Sequence, residues 1–137
     1  MTREEEIVRR VRATFDAFNR CDFDAAIAFM HPDVELVRAG VEQPLRGVEQ
    51  VRSWMEPNAF ESQVIQPVDI TVSGSKVLVF TNTKARGASS GIEVEIDAWN
   101  VFTVDDDLRL TRAETYFLQE EEEARRAAAV ADPGPSG

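Results

Sequence analysis

Residues 92–104 read IEVEIDAWNVFTV, in which apolar side chains alternate with charged or polar ones at the period of two that is typical of a β-strand. The charged side chains stand at odd positions, Glu93, Glu95 and Asp97. Because burying unpaired carboxylates is costly, we expect the even positions to face the protein interior. Asn100 is an even position, so the strand is predicted to carry one amide on its apolar inner face.

The strand that follows is predicted to return from a hairpin turn. Residues 106–107, Asp-Asp, are a candidate two-residue turn, and pairing across it places Ala98 opposite Thr115 and Asn100 opposite Ala113. The inner face of the returning strand then consists of the odd positions Thr111, Ala113, Thr115 and Phe117. A register slip of one residue would reverse this assignment.

The outer face of the same two strands carries an apolar patch. Trp99 and Val101 lie on it with Tyr116 of the returning strand, and Val77 and Val79 are candidates to extend it from the neighbouring strand. A contiguous apolar patch on an outer sheet face usually marks a partner. We therefore predict a homodimer through Trp99, Val101 and Tyr116, since a symmetric pair is the commonest assembly.

Helical periodicity dominates the N-terminal part. A first helix is predicted over residues 2–20, with Thr2 as its cap, and shorter helices over residues 22–30 and 48–56. A short strand over residues 34–38 lies between the second and third helices. Because these helices precede the run of strands, the sequence predicts an α+β fold in which helices cover one face of a curved antiparallel sheet.

The middle and the C-terminal part complete this organisation. A strand from Val64 to Val72 contains Pro67, which predicts an edge strand or a bulge, and a second strand spans residues 77–86. Residues 119–130 have helical propensity, and residues 131–137, rich in Pro and Gly, are predicted to be a disordered tail. The chain is thus expected to be a single domain over residues 1–130.

Composition excludes several classes of function. The 137 residues carry 25 Asp and Glu against 15 Lys and Arg, a net charge of −10, which disfavours nucleic-acid and anionic-membrane partners. The single cysteine, Cys21, permits no internal disulfide, and no apolar run has the length of a membrane span. We expect a cytoplasmic protein.

Four segments carry a resemblance to a known family: CDFDA (residues 21–25), HPDVE (31–35), LRGVE (45–49) and WNVFTV (99–104). With them the chain resembles the nuclear transport factor 2-like superfamily and, within it, the SnoaL-like, polyketide-cyclase-type group. The resemblance covers about residues 3–118 and implies a cone-shaped, cystatin-like fold, in which three N-terminal helices and a concave sheet enclose a pocket. Members of this superfamily include steroid isomerases, cyclases, epoxide hydrolases and non-catalytic modules, so the fold alone does not give the function.

The resemblance also shows where this chain departs from known chemistry. Aligned with a ketosteroid isomerase, Arg38 takes the place of the general-base aspartate, and Thr14 and Asn100 take the places of the two oxyanion-hole donors. Thr115 takes the place of the acid/base aspartate of the SnoaL-type cyclases. The carboxylates on which both mechanisms depend are therefore replaced.

The candidate site is a mostly apolar pocket for a small molecule. Arg38 and Asn100 are the candidate catalytic residues, as electrostatic stabilisers that polarise a carbonyl group. The candidate substrate-binding residues are Thr14, Phe18, Trp54, Met55, Asn82, Thr115 and Phe117. The competing interpretation is that the polar members only form a buried hydrogen-bond network and that the large side chains fill the core.

For the other candidate catalytic or metal-binding residues, the sequence favours a structural role. His31, the single histidine, is predicted at a helix end, where it can bond the last carbonyl groups. The three aspartates at 105–107 lack the spacing of a calcium loop. We expect neither a metal nor a cofactor.

Three functions remain open at this point. The first is binding of a small, largely apolar molecule in the internal pocket, with a cofactor-free isomerisation or cyclisation there. The second is a non-catalytic ligand-binding module. The third is a dimerisation or interaction module that uses the outer face around Trp99 and Tyr116.

Overall fold

The structure keeps the predicted order of helices and strands and adds one short strand at Leu45–Arg46, a stretch in which the sequence predicts none. The structure, a computed structural model, describes residues 1–55, 60–87 and 90–130. The elements are α1 (Arg3–Asn19), α2 (Phe23–Ala26), β1 (Met30–Val37), β2 (Leu45–Arg46), α3 (Val48–Met55), β3 (Phe60–Ser73), β4 (Lys76–Gly87), β5 (Glu93–Val104), β6 (Leu110–Phe117) and, after a 3-10 turn at Leu118–Glu120, α4 (Glu121–Ala127). The predicted α+β class is confirmed. The predicted tail at residues 131–137 lies outside the described residues, as does Glu56 at the end of the predicted third helix.

The strands form one six-stranded sheet in the order β2-β1-β6-β5-β4-β3. Neighbouring strands are antiparallel except for β1 and β6, which run parallel. β3 lies at the edge, and its pairing with β4 shifts between Pro67 and Asp69, so both features predicted from Pro67 are present. An edge bulge of this kind hinders pairing with a further strand.

The hairpin between β5 and β6 has a different register from the predicted one. Asn100 pairs with Thr115, and Ala98 pairs with Phe117. The difference arises at the turn, where Leu108 adopts a left-handed φ of 62° and Asp105 pairs with Arg109. This is a three-residue loop with a bulge instead of a two-residue turn. Because the shift is two residues, every side chain keeps its predicted face.

Helix α1 packs on the concave face of the sheet. Thr2 caps the helix, since its hydroxyl accepts a hydrogen bond from the Glu5 backbone N–H at 3.1 Å. Ile7 and Val11 pack against Val77 and Val79 of β4, and Ile7 and both valines are almost completely buried. Each such side chain contributes about 1.5–3 kcal/mol through its burial. Val77 and Val79 therefore belong to the inner core and do not extend the outer patch.

The outer apolar patch is covered by the chain itself. Ala124 and Ala128 at the C-terminal end are fully buried in a cluster with Trp99, Val101 and Leu78, against which Tyr116 also packs. Trp99 is only 9% exposed, and its indole N–H donates to the Leu118 carbonyl oxygen at 3.2 Å. The surface predicted for a homodimer is thus not exposed, because α4, shorter than the predicted helix over residues 119–130, folds back across it.

The second helix is also shorter than predicted. α2 ends at Ala26 and β1 begins at Met30, so His31 lies in a strand instead of at a helix end. Its Nδ1 accepts a hydrogen bond from the Asp33 backbone N–H at 3.0 Å. The imidazole therefore has a local structural partner, although not the one predicted. β1 also starts earlier than the predicted strand over residues 34–38.

Tyr116, on the covered outer face, is expected to ionise at an unusually high pH. Burial, and next a hydrogen bond to Glu114, raise the pKa of Tyr116 from 10.0 to about 12. Because the folded state favours the neutral phenol, this contribution to stability is lost as the pH rises from about 10 to about 12. Tyr116 is the single tyrosine, so the ultraviolet absorbance of tyrosinate reports it alone.

A matched variant separates the two causes of this shift. Glu114→Gln is expected to lower the pKa of Tyr116 only in part, because burial under α4 remains. A titration of the unchanged protein with a midpoint near pH 10 would contradict the packing described here.

Candidate functional site

A cavity of about 250 Å³ lies between the helices and the concave face of the sheet. One wall is formed by α1 and α3, and the opposite wall by β1, β3, β4, β5 and β6. The lining is almost entirely apolar, and its large members from the helices are Ile7, Val11, Phe15, Phe18, Trp54 and Met55. Trp54 lines the cavity and is 46% exposed, so the cavity reaches the surface beside this indole.

Six of the predicted site residues line this cavity. Thr14 and Phe18 come from α1, and Trp54 and Met55 from α3. Asn100 of β5 and Thr115 of β6 stand directly opposite each other on the concave face. The helical and strand periods of the sequence thus bring these side chains to one space.

Arg38 lies outside the cavity lining. β1 ends at Val37, and the Ala39 backbone N–H donates to Thr115 Oγ1 at 2.7 Å, which interrupts the alternation that places Leu36 inward. The guanidinium of Arg38 instead donates from Nη2 to the Gln43 carbonyl oxygen at 3.5 Å. The structure therefore brings Asn100 and Thr115 together without Arg38.

Asn82 and Phe117 also lie away from the cavity lining. Asn82 is on the convex face of β4, where its Nδ2 donates to Glu95 at 2.9 Å and to Asp97 at 2.8 Å. Phe117 keeps the predicted concave side, but it is 46% exposed at the end of β6, against Gly40. Because the cavity lining on β6 ends at Thr115, the ring of Phe117 lies at the surface.

The polar residues of the described lining that the sequence analysis did not assign to the site are Arg10 of α1 and Thr81 and Thr83 of β4. Residues 77–83 read VLVFTNT, so apolar side chains occupy both faces of this strand and the period of two does not separate them. The pairing of β4 with β5 could have identified the inner face of β4, because Thr81 stands opposite the inward-facing Ala98. The sequence analysis instead placed Asn82, which lies on the other face of β4, among the substrate-binding residues.

The buried polar centre of the cavity joins Asn100 to Thr81. Asn100 Nδ2 donates to Thr81 Oγ1 at 3.0 Å and to the Val79 carbonyl oxygen at 3.4 Å. Thr81 Oγ1 donates in turn to the Ala98 carbonyl oxygen at 3.3 Å. Both residues are buried, and these bonds compensate for the loss of water that burial imposes.

Among the described lining residues the charged group is Arg10, and its Nε and Nη1 donors are engaged within the protein. Its Nε donates to Glu6 at 3.0 Å, and its Nη1 donates to the carbonyl oxygens of Asp107 and Leu108, both at 3.2 Å. The guanidinium carbon also lies 5.1 Å from the ring centroid of Phe29. Hydrogen bonds from Arg9 and then Arg10 lower the pKa of Glu6 to about 2, so this carboxylate stays ionised at neutral pH.

The cavity lining has no group suited to proton transfer. Among the residues that the structure describes, the lining contains no Asp, Glu, His, Lys, Cys or Tyr. Within the same part of the chain, no group of three or more His, Cys, Asp or Glu side chains could hold a metal ion. No helix in the described ranges is long and apolar enough to cross a membrane. What the arrangement offers chemically is apolar contact and a few hydrogen bonds.

A curved sheet that encloses an apolar cavity with helices is the architecture of nuclear transport factor 2-like proteins. The family model described as SnoaL-like domain matches residues 11–113. The chain therefore belongs to the SnoaL-like family, as the sequence segments indicated. A comparison with curated proteins finds no match.

Solved structures share the fold at low sequence identity. SalBIII, an epoxide hydrolase/cyclase-like enzyme with a role in pyran ring formation in the polyether salinomycin, is 18% identical with a TM-score of 0.76, covering 85% of this chain and 93% of its own. TerC, co-crystallised with polyporic acid, is 21% identical with a TM-score of 0.71, covering 85% and 95%. RV0760c from Mycobacterium tuberculosis, in complex with estradiol-17beta-hemisuccinate, is 13% identical with a TM-score of 0.71, covering 80% and 92%.

Proposed function

We propose that this protein binds a small, neutral, largely apolar molecule in its internal cavity and does not transform it by acid–base catalysis. The observation that carries the proposal is the cavity lining, which is apolar and lacks an imidazole or a carboxylate among the described residues. Isomerisation and cyclisation both require a group that moves a proton at the reacting atoms. A lining without such a group favours binding.

The charges around the cavity favour a neutral ligand. Arg10 is paired with Glu6, which Arg9 also binds, and its Nη1 is bonded to two backbone carbonyl groups, so its Nε and Nη1 donors are already engaged. The whole chain carries a net charge of −10, which repels anions at a distance. A carboxylate ligand would therefore lose its hydration at a guanidinium whose Nε and Nη1 hydrogens are already donated within the protein.

The cavity volume limits the ligand to a modest size. An apolar cavity of about 150 Å³ suffices for benzene, and drug-sized ligands use about 300–1,000 Å³. At about 250 Å³ this cavity suits a substituted single ring or a molecule of similar volume. That TerC and RV0760c hold small molecules in their crystals supports a ligand role for this fold.

The alternative is a cofactor-free isomerase or cyclase with Arg38 and Asn100 polarising a carbonyl. It is less well supported because Arg38 lies outside the lining and both amide hydrogens of Asn100 are already donated. Asn100 thus has no free amide hydrogen for a carbonyl oxygen in the cavity, and Arg38, whose Nε is buried without a partner among the described residues, does not line it. The likeness to SalBIII, at 18% sequence identity, extends to the fold.

The binding experiment compares molecules that share one skeleton. We expect para-cymene and para-isopropylbenzyl alcohol to bind with one molecule per chain in titration calorimetry. The tryptophan fluorescence, to which Trp54 at the cavity contributes beside Trp99, should change on binding. The anion para-isopropylbenzoate is expected to bind at least about tenfold more weakly. Equal or tighter binding of the anion would contradict the proposed neutrality of the ligand.

A separate experiment tests the absence of catalysis. Isobutyrophenone, a ketone with an exchangeable proton beside its carbonyl group, is incubated with the protein in deuterium oxide and followed by NMR. We expect exchange at the rate of the buffer alone. Exchange that the protein accelerates, and that the filled-cavity variant described in the Discussion abolishes, would replace the binding proposal by the isomerase alternative.

A further inference from the structure

The orientation of the Asn100 side chain is fixed by its neighbours. The Val79 carbonyl oxygen can only accept, so the group of Asn100 that faces it must be the NH2 group. Thr81 Oγ1 gives its proton to the Ala98 carbonyl oxygen and therefore also accepts from Asn100. Two acceptors take up both amide hydrogens, and the amide oxygen is turned away from them.

The amide oxygen of Asn100 is the uncommitted end of this network. Within the described residues it accepts no hydrogen bond, and it is not fully sealed from solvent. Because Asn100 lines the cavity and is otherwise buried, this oxygen is available to a ligand. It is an acceptor, the reverse of an oxyanion-hole donor.

The threonine hydroxyl groups near Asn100 can also act as hydrogen-bond acceptors toward a ligand. Thr14 donates to the Arg10 carbonyl oxygen, and Thr115 donates to the Val37 carbonyl oxygen while it accepts from the Ala39 N–H. Their protons are committed to the backbone. Thr83 alone among the threonines of the described lining has a side-chain hydroxyl without a hydrogen-bond partner among the described residues. The committed hydroxyl protons of Thr14, Thr81 and Thr115 leave oxygen lone pairs as the groups that these three side chains can offer a ligand.

We propose that the ligand of this cavity carries a hydroxyl or N–H group that donates a hydrogen bond to Asn100 Oδ1, so that Asn100 selects alcohols, phenols or amines over carbonyl compounds of the same shape. This rests on the proposed binding function and specifies its ligand class. Thr83, two residues beyond Thr81 on the same face of β4, is placed to serve a second polar atom of such a ligand. A carbonyl ligand would instead set its oxygen against the oxygen of Asn100.

The test compares para-isopropylbenzyl alcohol with para-isopropylbenzaldehyde, which differ in the donor. We expect the unchanged protein to bind the alcohol about tenfold more tightly, the value of one buried hydrogen bond. Equal affinity, or tighter binding of the aldehyde, overturns the assignment of Asn100 while para-cymene binding keeps the proposed function. If none of the three binds, both proposals fail.

Variants test whether the preference for the alcohol over the aldehyde depends on the Asn100 side chain. Asn100→Leu is expected to reduce the alcohol-to-aldehyde ratio to near one. Thr111→Val, which removes a hydroxyl group from β6 outside the cavity lining, is expected to leave the ratio unchanged. A ratio that survives Asn100→Leu overturns the assignment. If that variant does not fold, Asn100→Ala replaces it, since its smaller side chain also lacks the amide oxygen.

Discussion

The variant Ala98→Phe is expected to lose ligand binding while it keeps the fold. Ala98 lines the cavity from the centre of β5, and a phenyl ring there occupies the space of a single-ring ligand. Affinity for para-cymene should fall by about a hundredfold or more, twice the about 1.4 kcal/mol that corresponds to a tenfold change. Titration calorimetry measures the affinity, and the melting temperature should stay the same or rise, because the ring fills empty apolar space.

Val94→Phe provides the matched control for this variant. Val94 lies on the same strand and the same face, but it is 38% exposed and not part of the cavity lining. It should bind para-cymene like the unchanged protein. Full binding by Ala98→Phe, confirmed as folded by circular dichroism, would show that the ligand occupies another site.

The variant Ala128→Glu is expected to release α4 and make the protein associate. Docking of α4 buries Ala124 and Ala128 against Trp99 and Leu78, and an unpaired carboxylate at position 128 would lose its hydration in this apolar cluster. The helix should therefore detach, exposing the apolar face that it covers. Sedimentation should show dimers or larger species, and the pKa of Tyr116 should fall from about 12 toward 10.0.

Ala129→Glu is the control, since the neighbouring Ala129 is exposed. The same charge at this position should leave the sedimentation coefficient and the tyrosinate titration unchanged. A monomeric Ala128→Glu variant in which the pKa of Tyr116 is unchanged would mean that α4 is not what covers the outer face.

Much of the fold was predictable because one strand separates its faces by charge. The carboxylates at 93, 95 and 97 exclude the odd positions from the interior, and this holds whatever the register of the hairpin. The register itself was not predictable, since Leu108 adopts a positive φ that nothing in the residue type suggests. The error of two residues changed the partners of Asn100 and left its face intact.

The cover over the outer face was hard to predict for a different reason. Ala124, Ala127 and Ala128 have helical spacing, but their side chains are too small to mark a face that packs against Trp99. Apolar residues on an outer sheet face therefore suggested a second chain, when the chain itself supplies the partner. The alternation on β4 was equally ambiguous, since both of its faces are apolar.

Six of the nine predicted site residues line the cavity, whereas the position of Arg38 depends on a contact between distant residues. Thr14, Phe18, Trp54 and Met55 have helical spacing that places them inward. The exclusion of Arg38 depends on the hydrogen bond between Ala39 and Thr115, which are 76 residues apart. No local pattern encodes such a bond.

The turn between β3 and β4 anchors both extremities of the described fold. Arg3 Nη1 donates to the Gly74 carbonyl oxygen at 2.9 Å, and Ser73 Oγ donates to the Ala129 carbonyl oxygen at 3.1 Å. This turn lies at the end of the sheet where the Val104 N–H donates to the Ser75 carbonyl oxygen, whereas Trp54 marks the opening of the cavity. A fused reporter or a sensor surface attached near Arg3 or near Ala129 would therefore lie at this turn. Such an attachment leaves the cavity accessible to a ligand on the side of Trp54.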